Sequence, residues 1–239
     1  MEYKLSIVGT PIGNLEDITL RAINTLKASE IILCEDTRVT YKLLKHLNIE
    51  NKKLITYNNF NELEISEYVI KLILEGKHVS LVSDAGMPCI SDPGFEVIKA
   101  AKKENIFIDV VGGPTALIHA LVKANQASKF TFLGFLKDKS ISRQNELKNL
   151  NYGTYVCYVS PHKLLATLND FEQVFKDKVD IYLIKEMTKM FETSYEGKPL
   201  EVIQQLGENI KGEFSMVFTI NEDKKKKVNK YAEFSKHDN

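Results

Sequence analysis

The chain of 239 residues is 44% hydrophobic and 27% charged, which excludes a disordered chain and allows one large domain or two small ones at about 150 residues each. Thirty-two basic and thirty-two acidic side chains cancel, so net charge neither demands a polyanionic partner nor forbids one bound to a local basic face. Of the basic residues only Arg21, Arg38 and Arg143 are arginine. Where lysine fills every site that needs bare charge, a surviving arginine marks a place for a planar fork on a carboxylate or phosphate.

In chain order, residues 4–9 form a short apolar run ending in glycine, and residues 18–28 carry apolar side chains at helical spacing, with Thr19 as a cap. Residues 31–35 read as a buried strand, 39–47 as a helix, 53–57 as a third strand and 63–74 as an amphipathic helix stopped by Gly76. A strand over 78–82, a helix over 95–103 and a strand over 106–111 complete the alternation. Strands alternating with helices of this length predict right-handed βαβ units in a mainly parallel, doubly wound sheet, whose ligands bind beyond the carboxyl ends of the strands. After a helix at 116–123 the pattern changes to strands at 130–135, 154–159, 180–184 and 213–220, helices at 163–169 and 200–205, and a charged loop around Arg143. The reading is α/β with two α/β domains, residues 1–117 and 118–223, the second holding a mixed sheet, and a solvated lysine-rich tail over 224–239.

The opening MEYKLSIVG lacks the basic flank and long apolar run of a secretory signal, and no apolar stretch nears the ~18 residues of a membrane span. Cys34, Cys89 and Cys157 are widely spaced without a CxxC, and the five histidines show no ligand spacing. These features point to the cytoplasm, with no membrane, disulfide framework or metal.

Four loops fall at the expected carboxyl edge: GTPIGN (9–14), CEDTR (34–38), SDAGMPCISDPG (83–94) and GGPTA (112–116). Together they hold six of the twelve glycines and four of the six prolines. Glycine permits close backbone approach to a ligand and proline stiffens the loop, so four such loops on one edge predict a ligand crevice. The first is not a dinucleotide fingerprint, and no phosphate-cradling GxxxxGK[ST] or nucleophile-elbow GxSxG occurs. Glu35, Asp36, Asp84 and Asp92 emerge at the crevice rim, where a carboxylate binds a ribose hydroxyl, attracts a cation, or caps the next helix, as Asp17 also can.

These loops, with GFLKDKSISR (134–143), YVSPHK (158–163), KEMTK (185–189) and KGEFSMVF (211–218), occur in an order that resembles the small-subunit ribosomal RNA 2′-O-ribose methyltransferases of the tetrapyrrole-methylase (class III methyltransferase) superfamily. CEDTR combined with SDAGMP and ISDPG is the specific part, and the resemblance spans about residues 4–220. It implies a tetrapyrrole-methylase-like fold with S-adenosyl-L-methionine in the cleft between the domains, a homodimer, and methylation of a cytidine ribose in the decoding region of 16S rRNA, within the assembled small subunit. The cofactor positions it implies are Ser83, Asp84, Ala85, Gly86, Ile90, Ser91 and Asp92 on one wall, and Gly113, Pro114, Thr115 and Ala116 on the other. Pro11 lies at the mouth, and Tyr158, Val159 and Ser160 approach the adenine side. The sequence departs from the pattern at Val159, where a glutamate or arginine is expected, and at Lys163 and Lys185, which replace arginines and lose the fork.

Deprotonating a ribose hydroxyl calls for a general base, and Asp36, Glu35, Glu186 and Lys189 are the candidates. Arg38, Arg143 and Lys163 are expected at the RNA, with an internal pair to Glu35 or Asp36 as the competing role of Arg38. Two other functions stay open: methylation of a porphyrin-like ring or a protein side chain, and a non-catalytic ribosome-associated nucleotide-binding module.

Overall fold

The structure, a computed structural model, describes residues 4–208 and 210–222; the tail at 224–239 lies outside them. Strands β1 (Lys4–Val8), β2 (Ile31–Cys34), β3 (Lys53–Thr56), β4 (Val79–Leu81) and β5 (Phe107–Val111) form one sheet in the order β3-β2-β4-β1-β5, parallel throughout. Helices α1 (Leu20–Ala28) and α2 (Thr37–His46) cover one face, and α3 (Glu62–Leu74) and α4 (Phe95–Lys103) the other. Side chains alternate between faces along a strand, so a sheet covered on both sides needs continuously apolar strands. The sequence IILC of β2 meets that need. Ile31 and Leu33 pack with Ile70, Ile73 and Val97, and Ile32 and Cys34 with Ala22, Leu26 and Leu44.

Local signals set the helix ends. The Thr19 hydroxyl accepts the Ala22 N–H at 3.1 Å, so α1 begins at Leu20 and the extended Ile18 stays outside it. Asp36 caps α2 through the Arg38 N–H at 2.8 Å, whereas Asn14, not Asp17, caps the short turn Leu15–Asp17. The chain leaves β1 toward α1 on one face and leaves the adjacent β4 toward α4 on the other. The two departing loops thereby open a crevice at the carboxyl edge.

The second sheet holds β6 (Thr131–Phe135), β7 (Gly153–Val159), β8 (Val179–Lys185), β9 (Thr193–Gly197) and β10 (Phe214–Ile220) in the order β6-β7-β10-β8-β9. Only β6–β7 is parallel among these pairs, so the sheet is mixed. One face packs against α6 (Ser140–Lys148), α7 (Leu164–Phe175) and α8 (Pro199–Leu206), around Phe218 stacked on Tyr155 and met edge-on by Phe171. The other face receives α5 (Ala116–Ala124), whose Leu117 and Ala120 join Val156, Ile184 and Val217. A boundary after residue 117 would cut α5, which packs with the second sheet, so the change of sheet falls in the 112–115 turn.

The charged loop expected around Arg143 is helix α6, β9 is an added strand, and α7 runs to Phe175 rather than ending near residue 169. The expectation that Arg143 contacts RNA is corrected. Its side chain is 2% exposed, with Nε 2.8 Å from Asp170 Oδ2 and Nη1 3.0 Å from the carbonyl oxygens of Lys137 and Asp138. The fork is consumed inside the fold, holding the β6–α6 turn against α7. Arg21 has a similar duty near the surface, where it pairs with Asp109 and donates to the Val110 carbonyl, tying α1 to β5.

Candidate active-site cleft

Three loops of the first sheet meet backbone to backbone. Thr10 and Gly86 form an antiparallel bridge with N···O distances of 2.8 and 3.1 Å, joining the loops after β1 and β4. The loop after β5 is pressed against them. A Cβ placed on Gly113 would stand 2.8 Å from the Gly9 Cα, so this approach admits no side chain. The far end of the long loop is held by the β3–α3 connection and the first residue of α3. Glu62 accepts the Gly94 N–H at 3.4 Å, and the Tyr57 hydroxyl accepts the Val97 N–H at 3.1 Å. Between these anchors Cys89 and Ser91 take left-handed backbone conformations, with φ of 69° and 67°.

The second sheet closes the cleft with three strand ends in register. Phe214, the first residue of β10, pairs with Val159 at the end of β7 and with Lys185 at the end of β8. A cavity of about 420 Å³ results between the sheets. Of the residues expected at the cofactor, Asp84, Ala85, Gly86, Ile90, Ser91, Asp92, Thr115, Ala116, Tyr158, Val159 and Ser160 line it. Gly113 and Pro114 stand behind it, against Gly9 and Gly86. Pro11 and Ser83 are buried and line a separate cavity of about 310 Å³ beside α2. Ile12, Met87, Phe135, Pro161, Ile184, Met187 and the run Glu213, Phe214 and Ser215 also line the larger cavity, and sequence reasoning passed over them as site residues.

Electrostatics divide the carboxylates into two sets. Burial, followed by the neighbouring Glu35, pushes Asp92 up to about 6. Burial also raises Asp84, although the Asp36 N–H donates to it at 3.0 Å, and it raises Glu35 beside Asp84. Asp36 is the opposite case. Arg38 grips both its oxygens, with contacts of 2.5 to 3.1 Å, and draws it down to about 2. That pairing is the competing role foreseen for Arg38, whose side chain remains 84% exposed.

The Glu213 N–H and the Lys189 ammonium lower Glu186. Lys189 is raised, because Glu213 and Glu186 outweigh its burial. Neither lines the large cavity; their loop instead abuts Gly13, where a Cβ would lie 2.6 Å from Lys189 Cγ. Lys163 is exposed and lines a third cavity of about 290 Å³, which shares Phe135, Tyr158, Val159 and Ser160 with the first. Among the described residues no cluster of His, Cys, Asp and Glu could hold a metal ion, and no helix is long and apolar enough to cross a membrane.

A family model described as tetrapyrrole (corrin/porphyrin) methylases matches residues 4–202. The ribosomal RNA small subunit methyltransferase I of Mycoplasmopsis pulmonis is 52% identical over 218 residues, covering 91% of this chain and 98% of that protein. The protein of the same name from Thermotoga maritima is 43% identical over 203 residues, covering 84% and 90%. Among solved structures, a uroporphyrin-III-C-methyltransferase from Thermus thermophilus superposes with a TM-score of 0.67 at 21% identity, covering 91% of this chain and 94% of that one. A uroporphyrin-III C-methyltransferase structure from the same organism, complexed with S-adenyl homocysteine, gives 0.60 at 16% identity, covering 90% and 96%. These structures share the fold. With a matching family model and relatives of this identity along nearly its whole length, the chain belongs to the tetrapyrrole (corrin/porphyrin) methylase family and, within it, to the family of the ribosomal RNA small subunit methyltransferase I proteins.

Proposed function

We propose that this protein methylates the ribose 2′-hydroxyl of a cytidine in the decoding region of small-subunit (16S) rRNA, with S-adenosyl-L-methionine as donor, in the cytoplasm. One observation carries the reading: the cavity between the sheets sets desolvated carboxylates, Asp84 and Asp92, against an apolar wall of Ile12, Ile184, Met187 and Phe214. Its relatives' shared name supplies the substrate class.

The residues fit such a donor. Carboxylates raised by burial gain most from a nearby positive charge, and the donor carries a sulfonium and an ammonium. The apolar wall and Tyr158 suit an aromatic base, and the glycine-tight loops leave backbone rather than side chains at the ligand. When bound, the donor supplies a methyl group already activated by its positive sulfur. The chain then has to bind, orient and exclude water, because an in-line displacement is largely a matter of position.

It also needs a group to accept the hydroxyl proton, and basicity sorts the candidates. Asp36, drawn down to about 2 and held by Arg38, is a poor base. Lys189 is raised and therefore protonated, and Glu186 is lowered. Glu35, raised by burial and by Asp84, is the strongest base of the three carboxylates. Arg38 and Lys163, exposed on either side of the cleft, face the RNA backbone in this reading. The acceptor ribose has to be unpaired and accessible, which favours the assembled subunit as substrate. Exposed Ile118 and Val122 on α5 support a homodimer, which sedimentation would register.

The test is transfer of labelled methyl groups to small subunits from cells lacking this gene, with ribose methylation mapped along the rRNA. One new 2′-O-methyl cytidine in the decoding region is the expected result. Label confined to a porphyrin-like ring or to ribosomal protein, or donor binding without labelling of any substrate, would overturn it.

A further inference from the structure

The cavity of about 310 Å³ beside α2 is separate from the cleft between the sheets, and the two have one lining residue in common, Asp84. Its size is at the lower end of ligand clefts, which run from about 300 to 1,000 Å³. One wall is Thr10, Pro11 and Leu15 from the loop after β1; the other is Val39, Thr40, Lys42 and Leu43 from α2.

Two features make it a built site. Thr40 is 2% exposed, and its hydroxyl has the Cys34 thiol, a weak partner, beside it and no stronger one. A buried hydroxyl so weakly engaged keeps capacity to donate to, and accept from, a polar group entering the cavity. In addition, Leu15 and Val39 stand 41% and 39% exposed on the rim, an apolar pair lining the same cavity as the exposed Lys42. An apolar slot with a buried hydroxyl, a carboxylate at its inner end and a basic side chain outside matches the parts of one unpaired ribonucleotide: base, sugar hydroxyls and a flanking phosphate.

We infer that this cavity is the acceptor subsite, which takes the ribonucleotide to be methylated, its base between Leu15 and Val39 and its ribose toward Thr40 and Asp84. The inference deepens the proposed function and rests on it. Asp84 then stands at the only wall the two cavities share, where the sugar hydroxyl meets the donor. The Asp36 N–H fixes that carboxylate, and Asp36 is in turn fixed by Arg38. The CEDTR loop thus positions the acceptor side of the reaction.

The test compares Val39→Trp, Lys42→Glu, Thr40→Val and Thr40→Ser with the unmodified chain. Melting temperature, S-adenosylhomocysteine affinity by calorimetry, and the KM for small subunits are read for each. Val39→Trp fills the slot from an exposed position, so it should fold normally, bind S-adenosylhomocysteine within twofold of wild type and raise KM at least tenfold. Lys42→Glu should raise KM with a weaker salt dependence, and Thr40→Ser should retain the affinity that Thr40→Val loses. Unchanged KM in Val39→Trp and Lys42→Glu, or loss of S-adenosylhomocysteine binding in Val39→Trp, would overturn the subsite. A wild-type protein that binds S-adenosylhomocysteine and labels no RNA would instead overturn the functional reading on which the subsite rests.

Discussion

Two arginine–aspartate pairs belong to two different regions of this molecule. Arg143 and Asp170 are 2% and 4% exposed, locked between α6 and α7 beneath the second sheet, and every contact they make is internal. Arg38 and Asp36 stand at the carboxyl edge of the first sheet, 84% and 26% exposed, with the guanidinium facing water. The chemistry of the two pairs is nearly the same, but their surroundings are not. Removing one member of a buried pair strands a charge in a medium that cannot solvate it. An exposed pair contributes little to stability, so its arginine is free to serve a partner.

The comparison can be broken most sharply at Arg143. Arg143→Ala should cost about 3–5 kcal/mol, since Asp170 would be left buried and unpaired. Thermal or urea unfolding would read this directly, and a variant as stable as wild type would dissolve the distinction. Gly113→Val comes next. Its Cβ meets the Gly9 backbone at 2.8 Å, and overpacking of this kind costs about 1–3 kcal/mol; S-adenosylhomocysteine binding measured by calorimetry should fall at least tenfold.

Asp92→Asn should act in the other direction. In the folded chain Asp92 is raised to about 6 from 3.8. The folded state therefore holds the proton that the unfolded state releases, and wild-type stability declines as pH rises between these values. The asparagine variant escapes that decline, so at pH 7 it should be more stable by roughly 1 kcal/mol, with allowance for partial exposure, and gain nothing at pH 3. Melting curves from pH 3 to 8 check the sign. Arg38→Ala is the smallest perturbation of the fold. It should leave the melting temperature unchanged, yet reduce the salt slope of RNA binding by about one, in contrast to Arg143→Ala.

The two regions were not equally legible. The first sheet could be read from sequence because parallel strands buried on both faces are short apolar runs, and its helices carry clean amphipathic spacing. The region around Arg143 could not. Helix α6, SISRQNELK, buries only Arg143 and Leu147, so its anchor is a charged residue and its pattern is that of a loop. In β9, Tyr195 is the sole buried residue, too little for alternation to show.

The site divides the same way. Glycine, proline and carboxylates advertised the loops of the first sheet. Met187, Phe214 and Ser215 carry no such signal, since they reach the cavity only because three antiparallel strand ends align at Phe214. Arg143 misleads for a related reason: a fork on a carboxylate and a fork on a phosphate look the same in sequence, and only burial distinguishes them.

The loop between β4 and α4 is clamped at Gly86 by the bridge to Thr10, and at Gly94 and Val97 by Glu62 and Tyr57. Such an arch breathes most readily over its crown, residues 87–93, where Cys89 and Ser91 hold costly backbone conformations and the Ser83 hydroxyl steadies Asp92. Opening there would admit a bulky donor from above while both footings, and the sheet beneath them, kept still. Amide hydrogen exchange should therefore be fast across the crown and slow at its two ends, a profile that Tyr57→Phe would blur on the α4 side alone.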